Sequence, residues 1–280
     1  MIRIVTDSTC DLEKETIEKL NVEVLPLNLV LDGKTYRDEI DISRQEFYER
    51  LPDCKEHPTT SLPSLGQIEE VYRKVNEVEG TEIISIHISE TLSGTVNTIQ
   101  SAAKNFTEGL VTVVDGGQLS IGTGFQVELA AEMAKRGENL ATILAALNSL
   151  RERIFVAAAL DGMEYLRRSG RVNGIVSGIG SIIKLKPLLT MYNGIAKSEI
   201  ARTRRGAFRK LEQLLQSRLP IERLVILHSN ASQDGLKEWI QIATSVTGLE
   251  NFPIINITPV IGNHIGPGAI GFGLIQATQK

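Results

Sequence analysis

Cysteine is scarce: Cys10 and Cys54 are the only two in 280 residues. That number supports neither a disulfide framework nor a four-ligand zinc site. No run approaches the roughly 18 consecutive apolar residues of a membrane span, and the opening IRIVTDSTCD lacks the apolar stretch of a signal peptide. A cytoplasmic protein with reduced thiols and no stable membrane insertion is the simplest expectation. Excess positive charge is missing too. The formal net charge is −4, so no global field attracts nucleic acid, and any anion must be held by a few local groups. Walker A, HExxH, GxSxG and paired CxxC motifs are absent from the sequence. Gly266-Pro267-Gly268-Ala269-Ile270-Gly271 has the GxGxxG spacing. It stands near the C-terminus, however, leads into a strand-like run, and is followed by no ribose-binding acid.

What is present is an ordinary globular balance, 42% hydrophobic and 23% charged, in a chain long enough for a sizeable core. Up to about residue 160, strand and helix signals alternate. Residues 2–6 form an apolar strand, an amphipathic helix covers 12–20, and a second extended run at 22–31 closes on the turn pair Asp32-Gly33. Ser43 with Glu46 and Ser64 with Gln67 are capping boxes, each opening a helix; the proline-broken stretch 52–63 between them reads as loop. Residues 82–88 and 110–114 are strand-like, a helix begins near Ser93, and helical stretches run through Leu150. Such alternation predicts a mainly parallel sheet covered by helices.

The pattern then changes. Residues 188–192 and 195–200 flank Asn193-Gly194, a strong hairpin signal. A helix at 204–215, a strand at 224–228, a helix at 232–244 and strands at 254–258 and 269–277 follow. The expected fold class is α/β in two domains: 1–160 with a parallel sheet flanked by helices, and 161–280 as α+β with antiparallel strands.

Three segments collect hydroxyl residues and glycines near the ends of expected strands: Pro58 to Ser64, Ser89 to Thr95, and Asn263 to Gly268. Loops beyond the carboxyl ends of strands are where open α/β sheets bind ligands. Helix N-termini there offer unpaired N–H groups and partial positive charge, and Ser and Thr hydroxyls add neutral donors. Taken singly, each loop serves equally as a cap or turn. His264, between glycines and a proline in a segment with little expected helix, is able to donate to a carboxylate or to orient a hydroxyl that does.

Asp7, closing the first strand, occupies a place suited to a phosphotransferase nucleophile. A magnesium-dependent phosphotransferase or phosphatase using Asp7, Asp115 and Lys184 is therefore the alternative enzyme reading. The close carboxylate pair expected for magnesium is missing, since the next acid, Asp11, is four residues on; turn-making with Ser8 and Thr9 accounts for Asp7 better. Positive charge clusters at Arg167, Arg168 and Arg171, and at Arg202, Arg204 and Arg205. The cluster is either a solvated face or a docking surface for a partner protein or its bound phosphate.

Read in order, VTDSTCDL near the N-terminus, TTSLPS at 59–64, LSGTVNTIQSA at 92–102, VVDGGQLSIGTG at 113–124, YLRRSGRV at 165–172, KPLL at 186–189 and IGNHIGPGAIG at 261–271 resemble the DegV family of bacterial fatty-acid-binding proteins. The resemblance spans essentially the whole chain. It implies a two-domain α/β carrier, not itself an enzyme and without cofactor or metal, that buries one long-chain fatty acid and presents it to a separate fatty acid kinase for acyl phosphate formation. By motif, Thr60 and Ser61 correspond to the head-group hydroxyl pair, and Ser93 with the Gly94 and Thr95 backbone to the second head-group loop. His264 corresponds to the histidine of the glycine-proline loop and Arg171 to the arginine after the glycine turn; Arg202 belongs to the docking cluster. The sequence departs from the family pattern at Leu62, where glutamine is common, at Gly116 in place of serine, and at Ser169 in place of glycine.

Overall fold

The structure, a computed structural model, describes residues 1–77, 80–107, 109–170 and 185–278. The chain opens with β1 (Ile2–Asp7), α1 (Lys14–Leu20) and β2 (Glu23–Leu25), then β3 (Asn28–Leu31), β4 (Lys34–Arg37), α2 (Arg44–Arg50) and β5 (Thr59–Ser61). It continues through α3 (Leu65–Val75), β6 (Glu82–His87), α4 (Thr95–Ala103), β7 (Val111–Asp115), α5 (Ile121–Lys135) and α6 (Leu140–Arg151). The remainder is β8 (Ile154–Ala159), α7 (Glu164–Arg168), β9 (Lys186–Tyr192), β10 (Ile195–Ala201), α8 (Arg204–Gln216), β11 (Ile221–His228), α9 (Gln233–Thr247), β12 (Ile254–Asn256), α10 (Pro259–Ile265) and β13 (Ile270–Gln276).

Three sheets result, in the orders β2-β1-β6-β7, β4-β3-β5 and β10-β9-β8-β13-β11-β12. The first is wholly parallel, as the early alternation predicts. Its strands are apolar at successive positions because both faces are covered. Val5 and Ile83 face α3 and α4, while Ile4, Ile84 and Ile86 face α5. In the six-stranded sheet, Asn193 and Gly194 both take positive φ, 46° and 78°, and join β9 to β10 with Ile195 opposite Tyr192. That is the two-residue turn its sequence demands. Phe208, Leu211 and Trp239 of α8 and α9 cover one face of this sheet.

Helix α5 packs against β1 and β6 of the parallel sheet and against β8 and β13 of the larger one. Its buried positions, Ile121 to Val127 and then Ala130, Ala131 and Met133, run around the helix, as expected of a helix enclosed on more than one side. At its first turn, a Cβ on Gly273 would fall 2.3 Å from Ile121 Cγ2, so β13 approaches α5 closely only because that position is glycine.

Three expectations need correction. Pro26 divides the extended run at 22–31, so that β2 joins the parallel sheet and β3 the small antiparallel one. Residues 52–63 are not all loop, because residues 59–61 pair with β3 as β5. The segment carrying His264 is helical: Pro259 supplies a helical φ at the first turn and Gly266 ends α10 with positive φ. β8, starting at Ile154, belongs to the six-stranded sheet, between β9 and β13.

Candidate functional site

The parallel strands deliver their C-terminal ends to one edge, and two of the three hydroxyl segments meet helix α10 there. Pairing with β3 sets Thr60 opposite Leu29. Alternation along so short a strand turns Thr60 inward, half-buried, and leaves Thr59 and Ser61 exposed. Thr60 Oγ1 lies 3.1 Å from His264 Nε2. Asn263 Nδ2 donates to Pro58 O at 2.9 Å and ties α10 to the same loop.

The second loop leaves β6 and enters α4. Ser93 Oγ lies 2.7 Å from Thr95 Oγ1 and accepts the Thr95 N–H at 3.3 Å. Gly94 is the N-cap and forms no side-chain cap; Ser93 takes the Thr95 N–H and Gly94 O the Thr98 N–H, so the donors left at this helix start are those of Val96 and Asn97. The loops abut: Leu62 Cδ1 lies 3.6 Å from where a Cβ on Gly94 would stand. Beyond Gly266, Ser229 Oγ donates to Gly266 O at 2.7 Å and accepts the Ala269 N–H at 2.8 Å. The connection carrying α10 into β13 is thereby latched.

Beside this polar cluster lies an apolar cleft lined by Leu92, Val156, Leu189, Met191, Ile261 and Ile265 among others. The cleft and the cluster share backbone. Leu92 precedes Ser93, and Ile261 and Ile265 flank His264 at helical spacing, on a common side of α10. Polar donors thus stand at the margin of an aliphatic surface, the arrangement that suits an amphipathic acid.

Not every expected site residue enters the cluster. Ser61 is exposed on the other face of β5, and no hydrogen bond joins it to Thr60, Ser93 or His264 among the described residues. Arg202 is exposed in the bend between β10 and α8 and forms no hydrogen bond or ion pair there among those residues. Arg171 and Lys184 lie outside the described residues.

The Asp7 carboxylate is fully buried. It accepts the Ile88 N–H at 3.1 Å and the Thr9 N–H at 3.0 Å, together with the Thr9 hydroxyl, and lies 2.9 Å from His87 Nδ1. Burial by itself would raise its pKa, but His87 and these hydrogen bonds outweigh that and hold it below the usual carboxylate value. A carboxylate so enclosed is no nucleophile for an incoming substrate. Asp115 instead caps its own turn, accepting the Gly117 N–H at 2.9 Å and the Glu90 N–H at 3.2 Å. Sequence reasoning missed His87 altogether, since its partner is 80 residues away and no local pattern announces it.

Nearby, Asp38 is buried with one oxygen accepting Ser8 Oγ at 2.7 Å and the other unpartnered among the described residues. Burial pushes its carboxyl well above 3.8, with Glu39 and Asp11 adding to the rise and the Ser8 hydrogen bond opposing it. The folded state therefore keeps a proton that the unfolded chain releases, and stability falls as pH rises from about 4 toward the raised folded pKa. Asp38→Asn should accordingly raise the thermal midpoint at pH 7, with the gain closing below about pH 4; thermal melts of both proteins across that range check it.

Fold and site together define an α/β protein with a hydroxyl-and-imidazole cluster at the margin of an apolar cleft. The chain belongs to the DegV family: the model described as "Uncharacterised protein, DegV family" matches residues 1–277. A DegV domain-containing protein of Staphylococcus aureus is 34% identical over 279 residues, 98% of each chain. One from Listeria innocua is 36% identical over 277 residues, 97% of each. Among solved structures, a DegV family protein of Thermus thermophilus described by its fatty acid binding superposes with a TM-score of 0.86 at 33% identity, over 99% of both chains. DegV of Bacillus subtilis, described as a fatty acid binding protein, gives 0.85 at 29% identity over 99% of both. No helix among the described residues is long and apolar enough to cross a membrane.

Proposed function

We propose that this chain binds one long-chain fatty acid and presents its carboxylate to a separate kinase, which forms the acyl phosphate, with no chemistry carried out by the chain itself. The observation that carries the reading is the continuity of the Thr60–His264 and Ser93–Thr95 pairs with the aliphatic cleft. The whole-chain likeness to fatty-acid-binding relatives supports it.

In this reading the carboxylate accepts hydrogen bonds from Thr60, Ser93 and the first N–H groups of α4, and His264 orients the Thr60 hydroxyl or donates directly. Ser61 stands at the rim rather than beneath the carboxylate. Donors of this kind hold an anion without a lysine or arginine to neutralise it, which leaves its oxygens reactive toward a phosphoryl donor. The tail supplies the affinity: burying about fourteen methylenes is worth roughly 11 kcal/mol gross, from which association and ordering costs are subtracted. Arg202 belongs to the surface the kinase meets.

Mass spectrometry of lipid extracted from purified protein tests the reading. A single C14–C18 acid at about one per chain is the expected result; a phosphorylated metabolite, or no lipid even after incubation with palmitate, would overturn it. For the partner step, Arg202→Glu should lower acyl phosphate formation by the kinase while palmitate binding stays unchanged. Equal turnover by both proteins would remove Arg202 from the docking surface.

A further inference from the structure

Four side chains outside the site form an unbroken polar chain across the parallel sheet. The Tyr72 hydroxyl of α3 donates to Ser85 Oγ at 2.8 Å, Ser85 Oγ lies 2.6 Å from His87 Nε2, and His87 Nδ1 lies 2.9 Å from Asp7 Oδ2. All four residues have 0% exposure. With His87 accepting at Nε2 and donating from Nδ1, the hydrogen bonds run in one direction, from phenol to hydroxyl to imidazole to carboxylate. The order serine, histidine, aspartate is that of a hydrolase triad, but here the serine is sealed from solvent and already accepts from Tyr72, so no substrate reaches it. Buried polar chains of this kind are seldom the most stabilising filling for a core, and when every member is satisfied they specify a single geometry.

Its place in the fold indicates which geometry. Helix α3 begins directly after the loop carrying Thr60, and α4 begins within the loop carrying Ser93. The two helices pack on each other. Tyr72 stands eight residues beyond the Ser64 cap, about 12 Å down the helix, and its ring packs edge-on against Phe106, just past the end of α4, with centroids 5.6 Å apart. Ser85 and His87 share one face of β6, the strand that runs straight into the Ser93 loop. Asp7 also holds the Ile88 N–H at the start of that loop. Both head-group loops are therefore indexed, from their far ends, to one rigid set of hydrogen bonds.

We propose that the Tyr72–Ser85–His87–Asp7 chain is a positioning device that sets the separation of Thr60 from Ser93, and hence the fit of the carboxylate, without touching the ligand. The proposal rests on the fatty-acid reading above. Its test compares palmitate with hexadecanol, which shares the tail but lacks the carboxylate, on wild-type protein, Tyr72→Phe and Ser85→Ala. A merely structural residue would weaken both ligands alike. A positioning residue selects: either variant should bind palmitate about tenfold more weakly while hexadecanol affinity stays unchanged. In a Ser93→Ala background the Tyr72→Phe effect on palmitate should vanish, because the group it positions is gone. Equal losses for acid and alcohol, or unchanged palmitate affinity in either folded variant, would overturn the proposal. Wild-type protein that binds neither ligand would instead overturn the fatty-acid reading itself.

Discussion

Palmitate binding should fall about a hundredfold or more in a Thr60→Ala/Ser93→Ala double variant, with the fold intact. Each hydroxyl is expected to donate to a charged carboxylate, and hydrogen bonds to charged groups contribute roughly 1.5–3 kcal/mol each. Two together amount to about 3–6 kcal/mol, and water entering the half-exposed mouth recovers part of that, so the lower end is the better expectation. Stability should change little. Thr60 and Ser93 are only half-buried, and their bonds to His264 and Thr95 are ordinary neutral ones worth about 1 kcal/mol. Titration calorimetry with palmitate on both proteins measures the difference. Unchanged affinity would remove this cluster from the site.

The second large effect lies at the other end of the ligand. Ala196 stands on β10, the edge strand of the six-stranded sheet, half-buried and lining the apolar cleft. A phenyl ring placed there by Ala196→Phe has room to be tolerated at an edge but occupies space the tail needs. Excluding even four methylenes forfeits about 3 kcal/mol at roughly 0.8 kcal/mol each, again more than a hundredfold in affinity. The signature is a change in chain-length profile: long acids lose affinity steeply and short ones little, because the head-group loops are untouched. A uniform loss across all lengths, or none, would show that the cleft does not hold the tail.

The two predictions differ in how much of their basis is visible in the sequence. Hydroxyl and glycine residues at loop positions mark the candidate segments because turn and cap chemistry is local: Ser64 with Gln67, Gly94 before α4, and Asn193-Gly194 each act over a few residues. The same holds for the alternation that predicts the parallel sheet. The cleft is different. Leu92 comes from a loop and Val156, Met191 and Ile261 from three separate elements, and nothing in their own neighbourhoods relates them. Helix α10 was hidden for another reason: its glycines and proline read as loop, and only Pro259 at the start with Gly266 at the end makes seven residues helical. Pairs such as Asp7 with His87 and Thr60 with His264 are 80 and 204 residues apart. They become visible only once the strands are in register.

Helix α5 also bears on whether this protein is severable. One continuous set of buried side chains includes Ile4 and Ile84 of the parallel sheet, Ile121 and Phe125 of α5, and Val156, Val225 and Ile275 of the six-stranded sheet. A cut at residue 160 would strip β8 from the middle of its sheet and leave the face of β13 that meets α5 exposed to water. Neither fragment would keep all of this apolar set, which draws on residues from both sides of the cut. The apolar cleft is walled by β8, β9 and β10 of the six-stranded sheet together with Leu92 and Leu119, from the loops that follow β6 and β7 of the parallel one, so a ligand bound there would favour the state in which both parts are assembled.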